Sequence, residues 1–172
     1  MNLLAASRDL FDDLDPLAQM TNEISCIAKN GSRLFGYSKD PITAAKALQK
    51  IVGDGYFGRT GGNLFCSGAG GAATATLLAL IEQPNAVDRP ARFTAVDIDP
   101  NRLAHRQEMA EQFESGIELN CILSQSAAQN GLLLAQLPPH SLVINATGMG
   151  KDRLGSPLPQ TTVSPLRACP SQ

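Results

Sequence analysis

Apolar residues near the start of this 172-residue chain recur at helical spacing, at Leu3, Leu4, Leu10, Phe11 and Leu14, which predicts a helix stopped at Asp15-Pro16. Two short β-rich runs, 24–28 and 34–37, flank Lys29-Asn30-Gly31-Ser32. The Asn-Gly step between them predicts an antiparallel hairpin. Asp40-Pro41 then reads as an N-cap followed by proline in the first helical turn, opening a helix through Ala44, Ala45, Ala47, Leu48 and Ile51. Gly53, Gly55, Gly58, Gly61 and Gly62 crowd the next segment and predict a loop between two units.

Beyond residue 62 the pattern changes. Strand-length runs at 63–67, 92–97, 117–123 and 141–145 alternate with helical patterns at 71–82, 101–113 and 125–137. Strands separated by helices require crossover connections, hence a parallel sheet covered on both faces. The expected organisation is a helix, hairpin and linking helix over 1–58, an α/β sheet domain over 59–160, and an irregular tail over 161–172.

One stretch of the sheet domain carries chemistry. Residues 63–67 run into Gly68-Ala69-Gly70-Gly71-Ala72-Ala73, which is a strand, a glycine turn and the start of a helix. Gly68 permits the tight turn and Gly70 lets the backbone approach a diphosphate. Small residues after them let helix and strand pack closely, and the helix start offers free amides at the positive end of its dipole. A glycine cluster alone is a weak signal. Here an acidic residue, Asp97, ends the next strand, somewhat beyond the usual spacing of about twenty residues. A carboxylate there accepts hydrogen bonds from ribose hydroxyls and repels a 2′-phosphate, so NAD is favoured over NADP, with Arg102 and Arg106 near enough in sequence to meet such a phosphate. Asp99, just before Pro100, is the better cap for the following helix. The expected fold class is thus α/β, with a Rossmann-type parallel sheet.

Composition narrows the function. A net charge of −2 provides no basic field for nucleic acid or anionic lipid. No apolar run is long enough to span a bilayer, and the N-terminus does not read as a secretion signal, so a cytoplasmic location is expected. Cys26, Cys66, Cys121 and Cys169 show neither C-x-x-C pairing nor histidines at ligand spacing, so they read as thiols and no metal is expected. His105 in a helix and His140 in a Pro-Pro-His turn read as surface residues.

With these motifs placed, the chain resembles the shikimate dehydrogenase family, including its quinate-using relatives, from about Glu23 to Pro159. The resemblance rests on the hairpin ending Gly36-Tyr37-Ser38-Lys39-Asp40, the turn Gly68-Ala69-Gly70-Gly71-Ala72-Ala73, and Asn145-Ala146-Thr147-Gly148-Met149-Gly150, in that order. It implies hydride transfer between NAD(P) and the secondary alcohol of shikimate, quinate or a similar hydroxy acid, and a place in aromatic amino acid biosynthesis. It further implies that Asp40 is a catalytic and substrate-binding residue, that Ser25 stands where a substrate-binding asparagine is usual, and that Asn145, Ala146 and Thr147 border the nicotinamide ribose. Ser38-Lys39 replaces the family's Asn-Thr before that aspartate, which bears on substrate preference.

The family's catalytic lysine and most of its substrate domain correspond to sequence before Met1, and its last strands to sequence after Pro159. The expectation is therefore a chain truncated at both ends, with an incomplete sheet and a remnant of the substrate-binding domain, able to hold nucleotide weakly but poor at turnover and open to homodimer formation. Two other readings stand beside this one. Val96-Asp97-Ile98-Asp99 also suits the ribose of S-adenosylmethionine in a methyltransferase, although Cys66-Ser67 occupies the place where those enzymes usually have an acid. A non-catalytic nucleotide-binding module is the other.

Overall fold

The computed structural model describes residues 4, 7–150, 152 and 154–159. The tail expected over 161–172, together with Lys151 and Cys169, lies outside them. A 3-10 turn at Arg8–Leu10 leads into β1 (Asp13–Leu14), and α1 (Pro16–Thr21) follows. Asp15-Pro16 therefore starts a helix instead of stopping one. The Asp15 carboxylate accepts the Ala18 N–H at 2.7 Å and proline fills the first turn, where no intrahelical donor is needed.

The hairpin forms as expected from β2 (Cys26–Asn30) and β3 (Arg33–Tyr37), with Asn30 opposite Arg33 across a two-residue loop. Gly31 takes φ +62 there, a conformation open to glycine at little cost. Strand β1 adds to β3 in parallel, giving a three-stranded sheet in the order β1-β3-β2. Helix α2 (Asp40–Val52) comes next, with Lys39 at its N-cap and no side-chain cap. Asp40 sits inside the first turn, so the expected side-chain cap is not formed. Its charge favours the positive end of the helix dipole instead. The glycine-rich segment is not all loop, because Tyr56–Thr60 forms a short helix, α3.

The second sheet contains β4 (Leu64–Ser67), β5 (Arg92–Asp97), β6 (Glu118–Leu123) and β7 (Leu142–Asn145), all parallel in the order β6-β5-β4-β7. Its helices are α4 (Gly71–Ile81), α5 (Pro100–Ala110) and α6 (Ala127–Leu134). This is a Rossmann-type fold. Every residue of β4 is buried, and all of β5 but Arg92, because apolar and small side chains on both strand faces need cover on both.

Helix α4 is buried throughout 73–81 and packs against α2, which explains why it is apolar on all sides where a surface helix would show one stripe. Phe93, Leu64, Leu77 and Leu78, all essentially inaccessible, form the centre of the core. The edge strands β6 and β7 are only partly buried.

Candidate functional site

The strand order reverses between β4 and β7, and the segments leaving these strands meet there. Gly68 adopts φ +101 and donates its N–H to the Val96 carbonyl at 2.7 Å. A Cβ at Gly68 would stand 2.8 Å from the Ala146 carbonyl oxygen, so glycine is required by conformation and by contact. The next amide, that of Ala69, turns inward and donates to the Asp97 carboxylate at 2.6 Å. Gly70 is extended at φ −81 and ψ −167 and caps α4. The N–H groups of Gly70, Gly71 and Ala72 then have no acceptor among the described residues, while those of Ala73 and Thr74 bond the Gly70 carbonyl. Three donors at the positive end of an eleven-residue helix make an anion site.

Gly70, the first of these, lines a cleft of about 670 Å³ at the carboxyl ends of the four strands, within the size range of cofactor sites and at the place where such sheets bind ligands. Of the residues expected at a cofactor, Gly68, Gly70, Asp97, Ala146 and Thr147 line it. Ala69 is buried, and Gly71 and Ala72 lie beside the cleft on the helix start. Asn145 braces the loop from behind: its side-chain oxygen accepts the Thr147 N–H at 3.0 Å and hydroxyl at 2.6 Å, and its amide donates to the Met149 carbonyl at 3.1 Å.

Asp97, 8% exposed, also accepts the Asp99 N–H at 3.0 Å. Asp99 caps α5 as expected, accepting the Asn101 N–H at 2.9 Å. Arg102 reaches over both acids, 3.9 Å from Asp97 and 3.6 Å from Asp99.

Arg106 does not face the cleft, contrary to the expectation that it could meet a 2′-phosphate. Leu103, Arg106 and Met109 follow one another at three-residue spacing on the buried face of α5, and that spacing is the signal in the sequence that places Arg106 inside. It lies under the glycine turn, with Nη2 2.5 Å from the Ala69 carbonyl, 2.9 Å from the Gly70 carbonyl and 2.8 Å from the Thr74 hydroxyl. Burial lowers its pKa, opposed by the nearby Cys66, Cys121, Glu23 and Asp97. The Cys66 thiol, pushed up to about 12 by burial, is inert at neutral pH, and Cys121 shifts the same way for the same reason.

Glu23 is a participant with no local signal in the sequence. Its carboxylate lies against Gly71, where any Cβ would collide with it, yet it takes neither the Gly71 nor the Gly70 amide. Burial raises its pKa, Arg106 and His105 oppose the rise, and Asp40 adds to it. A diphosphate at the free amides would face this carboxylate. Proton uptake by Glu23 should therefore accompany anion binding, and affinity should fall as pH rises through its raised value, above the ordinary 4.5. Glu23→Gln is expected to tighten diphosphate binding by about tenfold at pH above the raised value, the effect of removing one nearby like charge, and to flatten the pH dependence. Calorimetry at a series of pH values checks this; an unchanged slope in the variant contradicts it. Because the folded state holds this proton more firmly than the unfolded chain, Glu23's contribution to stability is full below 4.5 and is lost as pH climbs through the raised value.

Ser25 and Asp40 lie at the junction of hairpin and α2, outside the cleft lining. The Ser25 hydroxyl accepts the Lys39 N–H at 2.8 Å. The Lys39 ammonium stands 3.7 Å from Asp15 and 4.7 Å from the centre of the Tyr37 ring. Asp40 is exposed and close enough to Glu23 to act on its charge. Among the described residues no cluster of three or more His, Cys, Asp or Glu is placed to hold a metal, and no helix is long and apolar enough to cross a membrane.

No protein-family model matches the chain. It is 28% identical over 159 residues to a Streptococcus gordonii protein named shikimate dehydrogenase (NADP(+)), an alignment covering 90% of this chain and 50% of that protein. Among solved structures, a Listeria monocytogenes shikimate 5-dehydrogenase in complex with shikimate and NAD superposes with a TM-score of 0.62 at 21% identity, covering 89% of this chain and 50% of the other. The ligand-free 5-ketofructose reductase of a Gluconobacter strain superposes with a TM-score of 0.58 at 22% identity, covering 84% of this chain and 46% of the other. The two structural likenesses speak to the fold alone. The chain spans about half the length of the curated relative that it matches over most of its own length. In sequence and in fold, this protein resembles the shikimate dehydrogenase family over most of its own length and about half of theirs.

Proposed function

We propose that the chain binds NAD(P) through its α4 start and serves hydride transfer to and from the secondary alcohol of shikimate, quinate or a similar hydroxy acid. The observation that carries this reading is the set of three acceptor-free amides at Gly70, Gly71 and Ala72 beside a cleft of about 670 Å³. Gly70 has nothing within 4 Å of the position a Cβ would take, so a diphosphate has room to approach. When bound, the nicotinamide accepts or donates the hydride.

The chain's own residues bind and orient. The amides neutralise the diphosphate, Asp97 meets the adenosine ribose, and Ala146 and Thr147 line the opposite wall. Asp97 and Asp99 already balance Arg102, leaving little positive charge for a 2′-phosphate, which supports NAD as the preferred cofactor. Asp40 is assigned to the substrate hydroxyl, where a carboxylate can orient or accept the proton released as hydride leaves. The resemblance further supports a cytoplasmic enzyme of aromatic amino acid biosynthesis, the net charge of −2 argues against nucleic acid as a partner, and the partly buried edge strands leave room for a homodimer.

Titration of NADH by fluorescence, with NADPH and S-adenosylmethionine in parallel, tests the cofactor assignment. NADH is expected to bind more tightly than NADPH, and S-adenosylmethionine to bind negligibly. Tight binding of S-adenosylmethionine without NADH binding would replace the dehydrogenase reading with the methyltransferase one. Turnover with shikimate or quinate tests the reaction.

A further inference from the structure

Arg106 is 2% exposed, yet its Nε and Nη1 have no hydrogen-bond partner, and no carboxylate lies within ion-pairing distance of it among the described residues. A buried guanidinium without a direct ion pair, offset only at longer range by Glu23 and Asp97, is costly, so its position calls for a compensating role. The geometry points to one. Nη2 holds the carbonyls of Ala69 and Gly70 from below. A trans peptide is planar, with its C=O and N–H pointing in opposite directions. Drawing those two carbonyls inward therefore aims the N–H groups of Gly70 and Gly71 outward, and these are two of the three amides without an acceptor.

We propose that Arg106 is a positioning residue for the cofactor's diphosphate: it clamps two consecutive peptides of the turn with their donors aimed away from it, and an anion arriving on the other side of the turn adds to the partial compensation that Glu23 and Asp97 give its charge. The inference rests on the dinucleotide reading given above. It follows that Arg106 contributes to ligands in proportion to their phosphate content and not through the adenosine. Lysine cannot replace it fully, because an ammonium carries the charge without the planar fork.

Three proteins, wild type, Arg106→Met and Arg106→Lys, are titrated with ADP-ribose by calorimetry and with adenosine by ligand-observed NMR, folding being checked by thermal melts. Arg106→Met is expected to lose at least about tenfold in affinity for ADP-ribose, as for a lost charge-assisted contact, while adenosine binding stays within about twofold. Arg106→Lys should show the same selective loss at about threefold or more, and it decides the matter should the methionine variant not fold. Equal losses for the two ligands, or ADP-ribose affinity unchanged in a folded variant, overturn the inference alone. A wild-type protein that binds adenosine but gains nothing from the diphosphate, or that binds neither ligand, overturns the dinucleotide reading and this inference with it.

Discussion

Gly70→Val should yield a folded protein that has lost NADH. The Gly70 backbone lies at φ −81, ordinary for any residue, and a Cβ there meets no atom within 4 Å. Valine is poorer than glycine at a helix N-cap, but replacing glycine also reduces the freedom of the unfolded chain. The two effects oppose one another, and the net change in stability should stay within about 1 kcal/mol. The open space into which the side chain grows is the space a diphosphate needs. Two methyl groups there hold the phosphates away from the amides of Gly70, Gly71 and Ala72, and loss of those contacts should weaken NADH binding by about a hundredfold, or roughly 2.7 kcal/mol. Fluorescence titration beside a thermal melt measures both quantities. A variant that melts like wild type and binds NADH equally well removes the diphosphate from this turn.

Two residues earlier the same substitution class should have the opposite outcome. Gly68→Ala is expected to destabilise the fold itself, because at φ +101 a Cβ is strained and would also press on main-chain atoms: the Ala146 carbonyl oxygen at 2.8 Å, its carbon at 2.9 Å and the Thr147 nitrogen at 3.1 Å. Backbone strain of about 1–3 kcal/mol adds to the cost of pushing the loop after β7 off the β4 turn, for a total on the order of 3 kcal/mol. Proteins are stable by only about 5–15 kcal/mol, so this is a large fraction of the whole. The melting temperature should fall by about 10 °C, given roughly 2–4 °C per kcal/mol at this chain length. Differential scanning calorimetry reads the shift, and a melt within about 2 °C of wild type would falsify the claimed approach of the two segments. Together the pair separates glycine needed by the fold from glycine needed by the ligand.

The contrast also shows what kind of information local sequence holds. The four strands of the parallel sheet and their helices are legible because each is set by its own residues. Leu64-Phe65-Cys66-Ser67 is a short run suited to a central strand, Asp99-Pro100 starts a helix by its chemistry, and Asn30-Gly31 turns a hairpin. Reading failed where one local signal serves two structures. Asp-Pro both ends and begins helices, and at Asp15-Pro16 the pairing of β1 with β3 decides for a beginning. Glycines near residue 58 suit a loop, yet Tyr56–Thr60 closes a helical turn whose Tyr56 hydroxyl donates to the His140 carbonyl at 2.9 Å, far away in sequence.

The glycine turn, the acid after the second strand and the small residues after the fourth were visible in the order of residues alone, because a main-chain anion site needs only a strand end, glycines and a helix start in succession. Only the tertiary structure decided which side of that turn each charge occupies. Arg106 is a cation on a polar-looking helix until α5 packs on the sheet and carries it beneath the Ala69 and Gly70 carbonyls. Glu23, at the foot of a hairpin some fifty residues away from the turn in sequence, meets Gly71 only through the packing of the two sheets' surroundings. Strand and turn preferences act over a few bonds, whereas electrostatic partnership depends on distance through space, which the chain acquires only when it folds.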